Sequence, residues 1–207
     1  MNDLDFAALL VSRVCHDLVS PVGAVVNGLE VLEDETDVTM RADALRLVAA
    51  SAEQAAARLQ FARIAFGAAG SAGAELDLAE VGRIMGGLLK GGKVELVWNM
   101  QAVNWPKDWA KLLMNAVLAA ADCLPRGGRL IVENSKDSPE PGFHIVGNGA
   151  VVRLSPESER ALLGESSGTL DGRSIQPYLT YKLAKSLDAG FSATASAGEI
   201  HFTAGKK

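Results

Sequence analysis

The sequence predicts an antiparallel helical hairpin that pairs into a dimeric four-helix bundle, followed by an α/β sandwich. Three observations carry this. Residues 1–68 show only helical periodicity. The Gly/Ala/Ser stretch from Gly67 to Ala74 has no apolar pattern and reads as a linker. Beyond it, short β-rich runs alternate with helical ones. The chain divides accordingly into 1–68, a linker at 69–75, and 76–207.

The first helix is predicted from Leu4 to Leu32. Its apolar positions Leu4, Ala8, Val11, Cys15, Leu18, Val22, Val25, Leu29 and Leu32 step by four and three in alternation, the pattern of a helix–helix seam. Glu33 to Asp37 is a polar turn. Leu45, Val48, Ala52, Ala55, Leu59, Ala62 and Phe66 repeat the alternation in a second helix. One hairpin offers only two walls, so its spare apolar surface predicts a homodimer.

In the second part, Asp77 and Glu80 resemble a capping box for a helix to about Lys90. Val94–Trp98 alternates as a strand. Pro106 is expected as the first residue of a helix ending near Leu124. Leu130–Glu133 and Phe143–Val146 read as strands, and Val151–Leu154 as a third. Helices follow at Pro156–Leu163 and Gln176–Leu187, then a closing hairpin of Phe191–Ala195 and Glu199–Thr203. Helices on one face of a mostly antiparallel sheet are expected.

Composition excludes several classes. Of 207 residues 48% are hydrophobic and 22% charged, enough apolar surface to exclude wholesale disorder. A net charge of −5 lacks the basic footprint of a nucleic-acid binder. No uninterrupted apolar run reaches the roughly 18 residues of a membrane span. The acidic start, Asp3 and Asp5, argues against a secretory signal. Cys15 and Cys123 are far apart, which suits a reducing cytoplasm and excludes a disulfide or zinc framework. A cytoplasmic protein with no nucleic-acid or membrane partner is expected.

The sharpest chemical feature is His16. It lies one position past Cys15, on the flank of the seam. Ser12, Ser20, Gly23 and Asn27 share its lane at helical spacing, and all are small or short. Another protein surface could reach the imidazole along such a lane. Asp17 can orient the ring or stabilise its cation. Pro21 removes a backbone donor, frees the Asp17 carbonyl and is expected to bend the helix. Histidine forms covalent intermediates. On the residues alone, a lone helix histidine is more often a plain surface or core residue.

His16-Asp17-Leu18-Val19-Ser20-Pro21 resembles the H-box of two-component histidine kinases, commonly His-Glu-Leu-Arg-Thr-Pro. Leu112-Leu113-Met114-Asn115-Ala116 is similar to their N-box, with Asn115 at the magnesium-binding asparagine. The Asp-Asn-Gly-x-Gly loop would fall at Gly147-Asn148-Gly149-Ala150-Val151, where Gly147 replaces the adenine-binding aspartate. The lid box would fall at Gln176–Tyr181, which has no glycine. The second domain thus resembles a degenerate histidine-kinase ATPase (Bergerat-type) fold with low expected ATP affinity. The whole chain is similar to the alphaproteobacterial cell-cycle histidine phosphotransferases, above all from Phe6 to Glu30.

That resemblance implies a phosphorelay. His16 would take a phosphoryl group from the receiver-domain aspartate of a hybrid histidine kinase and pass it to the receivers of response regulators. Asp17 would orient the ring or accept its proton, and Ser20 would bond a phosphoryl oxygen or an attacking water. Arg13 would steady the phosphate or meet an acidic receiver rim; a solvated helix arginine is its plain alternative. Docking would use Ser12, Arg13, Leu18 and Val19, with Val22, Gly23, Val26 and Asn27 along the same helix. No cofactor of its own is implied, since Mg²⁺ comes from the receiver. An active ATP-dependent kinase, a non-catalytic scaffold for receivers, and a phosphatase using Ser20 remain alternatives. Elsewhere, Cys15 is expected as an inert seam thiol, and His144 and His201 as structural or solvated residues. The three tryptophans read as packing, Arg126–Arg129 as a turn, and Lys206-Lys207 as a frayed end.

Overall fold

The computed structural model describes residues 2–67, 74–135, 140–165, 170–172 and 174–206. Two long helices come first, α1 (Asp3–Asp34) and α2 (Val38–Ala65). Asn2 caps α1, its side chain accepting from the Asp5 amide. Asp37 caps α2, accepting from the Thr39 and Met40 amides. Between them Glu35 Oε1 accepts from the Thr36 and Asp37 amides at 2.8 Å, and Arg41 donates to the Leu32 and Glu35 carbonyls. Arg41 thereby brings positive charge to the end of α1, whose own last turn has no basic residue.

The hairpin closes on half of the expected seam, with Leu18, Val25, Leu32, Val48, Ala55 and Ala62 partly buried, and on residues one position back from the other half. Pro21 and Gly28 of α1 are buried, facing the buried Ala44 and Ser51 of α2. A Cβ on Gly28 would stand 2.6 Å from Val48 Cγ2, so only glycine permits this approach. Cys15, expected as a seam residue, is exposed within the chain. Leu4, Val11, Val22, Leu29, Leu45 and Leu59 are also about half exposed or more. The reason is size. The two helices close on their small residues, one position back along each heptad, and the larger apolar residues are left facing outward.

By length and composition α1 is also apolar enough to cross a membrane. Its apolar run is interrupted by Arg13 and Asp17. Part of that apolarity is the stripe packed on α2.

After α2, most of the expected linker, 69–73, lies outside the described residues. The chain continues with β1 (Glu75–Asp77), α3 (Leu78–Leu89), β2 (Val94–Asn99), β3 (Asn104–Pro106) and α4 (Lys107–Asp122). Then come β4 (Gly128–Asn134), β5 (Phe143–Asn148), α5 (Pro156–Leu162), α6 (Ile175–Ser186), β6 (Ala189–Ser196) and β7 (Glu199–Lys206). The five-stranded sheet has order β2-β4-β5-β7-β6, with β2–β4 parallel and the other pairs antiparallel. Its inner face, Leu130, Val132, Phe143, Ile145, Ile200 and Phe202, is fully buried under the helices. α4 is buried on nearly every side.

Four local expectations change. Pro106 is the residue before the α4 helix rather than its first residue, because it also closes β3, whose Trp105 pairs with Leu76 of β1. Val151–Leu154 forms no strand; Arg153 instead donates its amide to the Cys123 carbonyl. Asp77 does cap α3 through the Ala79 amide, but Glu80 turns to Arg83. Lys206 is the last strand residue and pairs with Glu140 at 2.8 Å, so it is not frayed. Trp105 and Trp109 pack edge to face at 6.4 Å and are buried, as packing residues are expected to be.

Candidate functional site

At about 100° per residue α1 presents three stripes roughly a third of a turn apart. One, through Pro21 and Gly28, faces α2. The second is the exposed apolar stripe of Val11, Cys15, Val22 and Leu29. His16 stands between them, with Ser12, Ser20 and Asn27 exposed beside it. Its side chain is 85% exposed. A Cβ on Gly23 would meet nothing within 4 Å, so the lane is open there. Val19 and Val26 border it, exposed by 70% and 48%.

His16 Nδ1 lies 3.3 Å from Asp17 Oδ1. The other Asp17 oxygen, Oδ2, accepts from Arg13 Nε at 2.9 Å. An exposed imidazole is thus held by a carboxylate that is itself anchored. An acceptor at Nδ1 favours the tautomer with the proton there, leaving Nε2 with its lone pair toward solvent.

The structure brings His16, Asp17 and Arg13 together and turns two expected docking residues inward. Arg13 is only 15% exposed at its side chain and donates from Nη1 to the Gly172 carbonyl at 3.1 Å. Leu18 lines a cavity of about 180 Å³ behind Asp17, with Val14, Arg58, Phe61 and Asp122. Ser20 is exposed in the lane, one turn on from His16. The Asp122 side chain, 58% exposed, lies 3.9 Å from Arg13 Nη2.

The second domain reaches the hairpin at several points. Phe6 packs edge to face on Tyr178 at 6.1 Å, with Lys182 Nζ 4.9 Å from the Phe6 ring centre. Asn115, fully buried in α4, donates to the Ala65 carbonyl at the end of α2. Contacts between remote segments such as Arg13 and Gly172 carry no local signal, which is why sequence reading missed them.

Residues 78–199 match the family model described as the histidine phosphotransferase C-terminal domain. The chain belongs to the histidine phosphotransferase family. Protein phosphotransferase ChpT of Brucella abortus (strain 2308) is 40% identical over 205 residues, 99% of this chain and 97% of that one. A solved structure of a bacterial phosphotransferase superposes with a TM-score of 0.88 at 38% identity, covering 99% of this chain and 98% of that one.

For a histidine phosphotransferase the decisive question in the second domain is the nucleotide. The residues present do not fit one. The Asn115 amide is spent on the Ala65 and Lys111 carbonyls, and Gln176 Nε2 donates to the Asn115 carbonyl at 2.6 Å. Both side chains are fully buried. A Cβ on Gly147 would lie 2.6 Å from Ile200 Cγ2 and 3.1 Å from Leu130 Cδ1, so the place of an adenine-binding aspartate is packed with core. The Asn115 side chain instead bridges backbone, from the Lys111 carbonyl of its own helix to the Ala65 carbonyl of α2. His144 and His201 stand on the outer sheet face, as expected, but stacked with Nε2 and Nδ1 3.3 Å apart. Among the described residues no group of three or more metal-binding side chains converges.

Proposed function

We propose that His16 carries a phosphoryl group between receiver-domain aspartates. The observation that carries this reading is the exposed imidazole held through Nδ1 by Asp17 in an open lane. Nε2 attacks the phosphorus of a donor phospho-aspartate in line. The P–N bond forms, the P–O bond to the donor breaks, and the donor carboxylate leaves with the electron pair. The ring becomes a phospho-imidazolium whose Nδ1–H donates to Asp17, which stabilises the positive charge. Donation runs the same steps backward onto a second receiver's aspartate. Ser20, one turn along, bonds a phosphoryl oxygen. Mg²⁺ is supplied by the receiver.

The donor is the receiver domain of a hybrid histidine kinase and the acceptors are receivers of response regulators. Ser12, Val19, Gly23, Val26 and Asn27 form the docking lane, an interface of the modest, transient kind. The exposed stripe of Val11, Val22 and Leu29, continued by Leu45 and Leu59, is the face on which two chains pair into a four-helix bundle. The reaction takes place in the cytoplasm, with no nucleic-acid or membrane partner.

The test uses a radiolabelled phospho-receiver, without ATP, and compares wild type with His16→Ala. Acid-labile label on the wild type alone is expected. Label on neither, across several receivers, moves the reading to a scaffold. Label that requires ATP and no receiver moves it to a kinase.

A further inference from the structure

We propose that Arg13 is a positioning residue that ties the orientation of His16 to the second domain. The inference rests on phosphotransfer through His16 and adds a part to it. Arg13 uses its guanidinium as a three-way fork. Nε donates to Asp17 Oδ2 at 2.9 Å, Nη1 donates to the Gly172 carbonyl at 3.1 Å, and Nη2 lies 3.9 Å from Asp122 Oδ2. Asp17 and Arg13 are on α1; Asp122 ends α4; Gly172 precedes α6. The Gly172 carbonyl is presented by a local tie in which Asp171 Oδ1 accepts from both the amide and the hydroxyl of Ser174, each at 2.8 Å.

The consequence is geometric. An exposed aspartate one residue from a histidine samples several rotamers. Here Arg13 holds Oδ2, which leaves Oδ1 turned to His16 Nδ1. A bond at Nδ1 sets the tautomer and frees Nε2. The second domain therefore does more than fill a nucleotide site it no longer has. It holds the arginine that holds the acid that aims the nucleophile. A lysine cannot replace this arginine, because a single ammonium does not hold three partners in one plane.

The experiment takes the full chain as its dimer and compares wild type with Arg13→Ala, Arg13→Lys and Arg13→Gln. Two quantities are read. One is single-turnover label uptake from a phospho-receiver, as a saturating rate and a half-saturating receiver concentration. The other is the His16 tautomer, from long-range ¹⁵N–¹H NMR at about pH 8, where imidazole is neutral. The chain has three histidines, and His16→Ala assigns the signal.

Arg13→Ala is expected to lower the saturating rate about 10- to 100-fold, as misplacement of a reacting group does. The half-saturating concentration stays within about 2-fold, and the Nδ1–H tautomer loses population. Lysine recovers part of the rate at most. Glutamine, whose amide reaches only to the Nε position and lacks both Nη donors, is read beside alanine: it keeps the stem on α1 while losing the ties to Gly172 and Asp122, and it is expected to lower the rate and the Nδ1–H tautomer less than alanine does. An unchanged tautomer overturns the proposal, and with a raised half-saturating concentration it makes Arg13 a receiver contact instead. If no protein, wild type included, takes up label, the phosphotransfer reading fails while the tautomer still decides whether Arg13 aims His16.

Discussion

Gly28 of α1 and Val48 of α2 meet so closely that a single added carbon would lie 2.6 Å from the valine methyl. That contact decides which stripe of α1 closes the hairpin, and so which stripe carries His16 and which is left apolar and open.

Gly28 and Gly23 are both helix-interior glycines, and replacing either by alanine removes a propensity penalty of roughly 0.5–1 kcal/mol. Gly23 has open space at its Cβ and Gly28 does not. Gly23→Ala is therefore expected to raise Tm. Gly28→Ala is expected to lower it, because overpacking costs about 1–3 kcal/mol. Adding Val48→Ala should erase the Gly28 cost in a double-mutant cycle followed by urea unfolding. Equal effects at the two glycines would contradict the packing.

His16→Gln is expected to abolish label uptake while leaving Tm within about 1–2 °C of wild type. The side chain is exposed, and surface substitutions usually change stability by less than 0.5 kcal/mol or so. Circular dichroism melting beside the transfer assay separates the two effects.

Leu29→Glu places a charge on the exposed apolar stripe. In light scattering the wild type should have the mass of two chains and the variant the mass of one. Secondary structure should persist, because Leu29 faces away from α2.

Asn115→Leu strands the Ala65 carbonyl in a buried site and removes the Asn115 Oδ1 that Gln176 Nε2 also reaches, leaving Gln176 only its bond to the main-chain carbonyl of residue 115. Leaving such groups unsatisfied costs about 1–3 kcal/mol each. A loss of stability is expected in urea titration, with no change in calorimetric response to Mg-ATP, because none is expected from wild type. A wild-type response at millimolar nucleotide would contradict the reading of a filled cleft.

Cys123 is buried, and burial first, then the charge of Asp122, push its thiol up from 9.0 to about 12. In a Cys15→Ser background it should ignore thiol reagents at neutral pH until guanidinium is added. The sign of the pH effect follows. The folded pKa lies above the unfolded one, so the protonated thiol's contribution is complete below pH 9.0 and is lost as pH rises toward 12. Cys123→Ala should flatten the alkaline fall in stability over that window.

Much of the site was legible along the chain. His16, Asp17, Ser12, Ser20, Gly23 and Asn27 are neighbours because helical periodicity makes them so, and that periodicity is local. The same holds for the long helices, the Asp77 cap of α3, and the strands of the five-stranded sheet. Arg13 was the informative miss. It was expected to meet the phosphate or a receiver rim, or to be solvated on the helix, yet its burial depends on Gly172, far away in sequence.

By itself the sequence determined the two helices, the position of the histidine on one of them, and the loss of the acidic and glycine residues a nucleotide site requires. These are matters of residue type and short-range period. Tertiary structure alone decided which of two adjacent heptad stripes closes the hairpin, because both are apolar and only close approach at Gly28 distinguishes them. It also decided that Asn115 and Gln176 fill the old cleft and that Arg13 turns inward to the second domain. Each depends on a distance between segments remote in sequence, which no local pattern encodes.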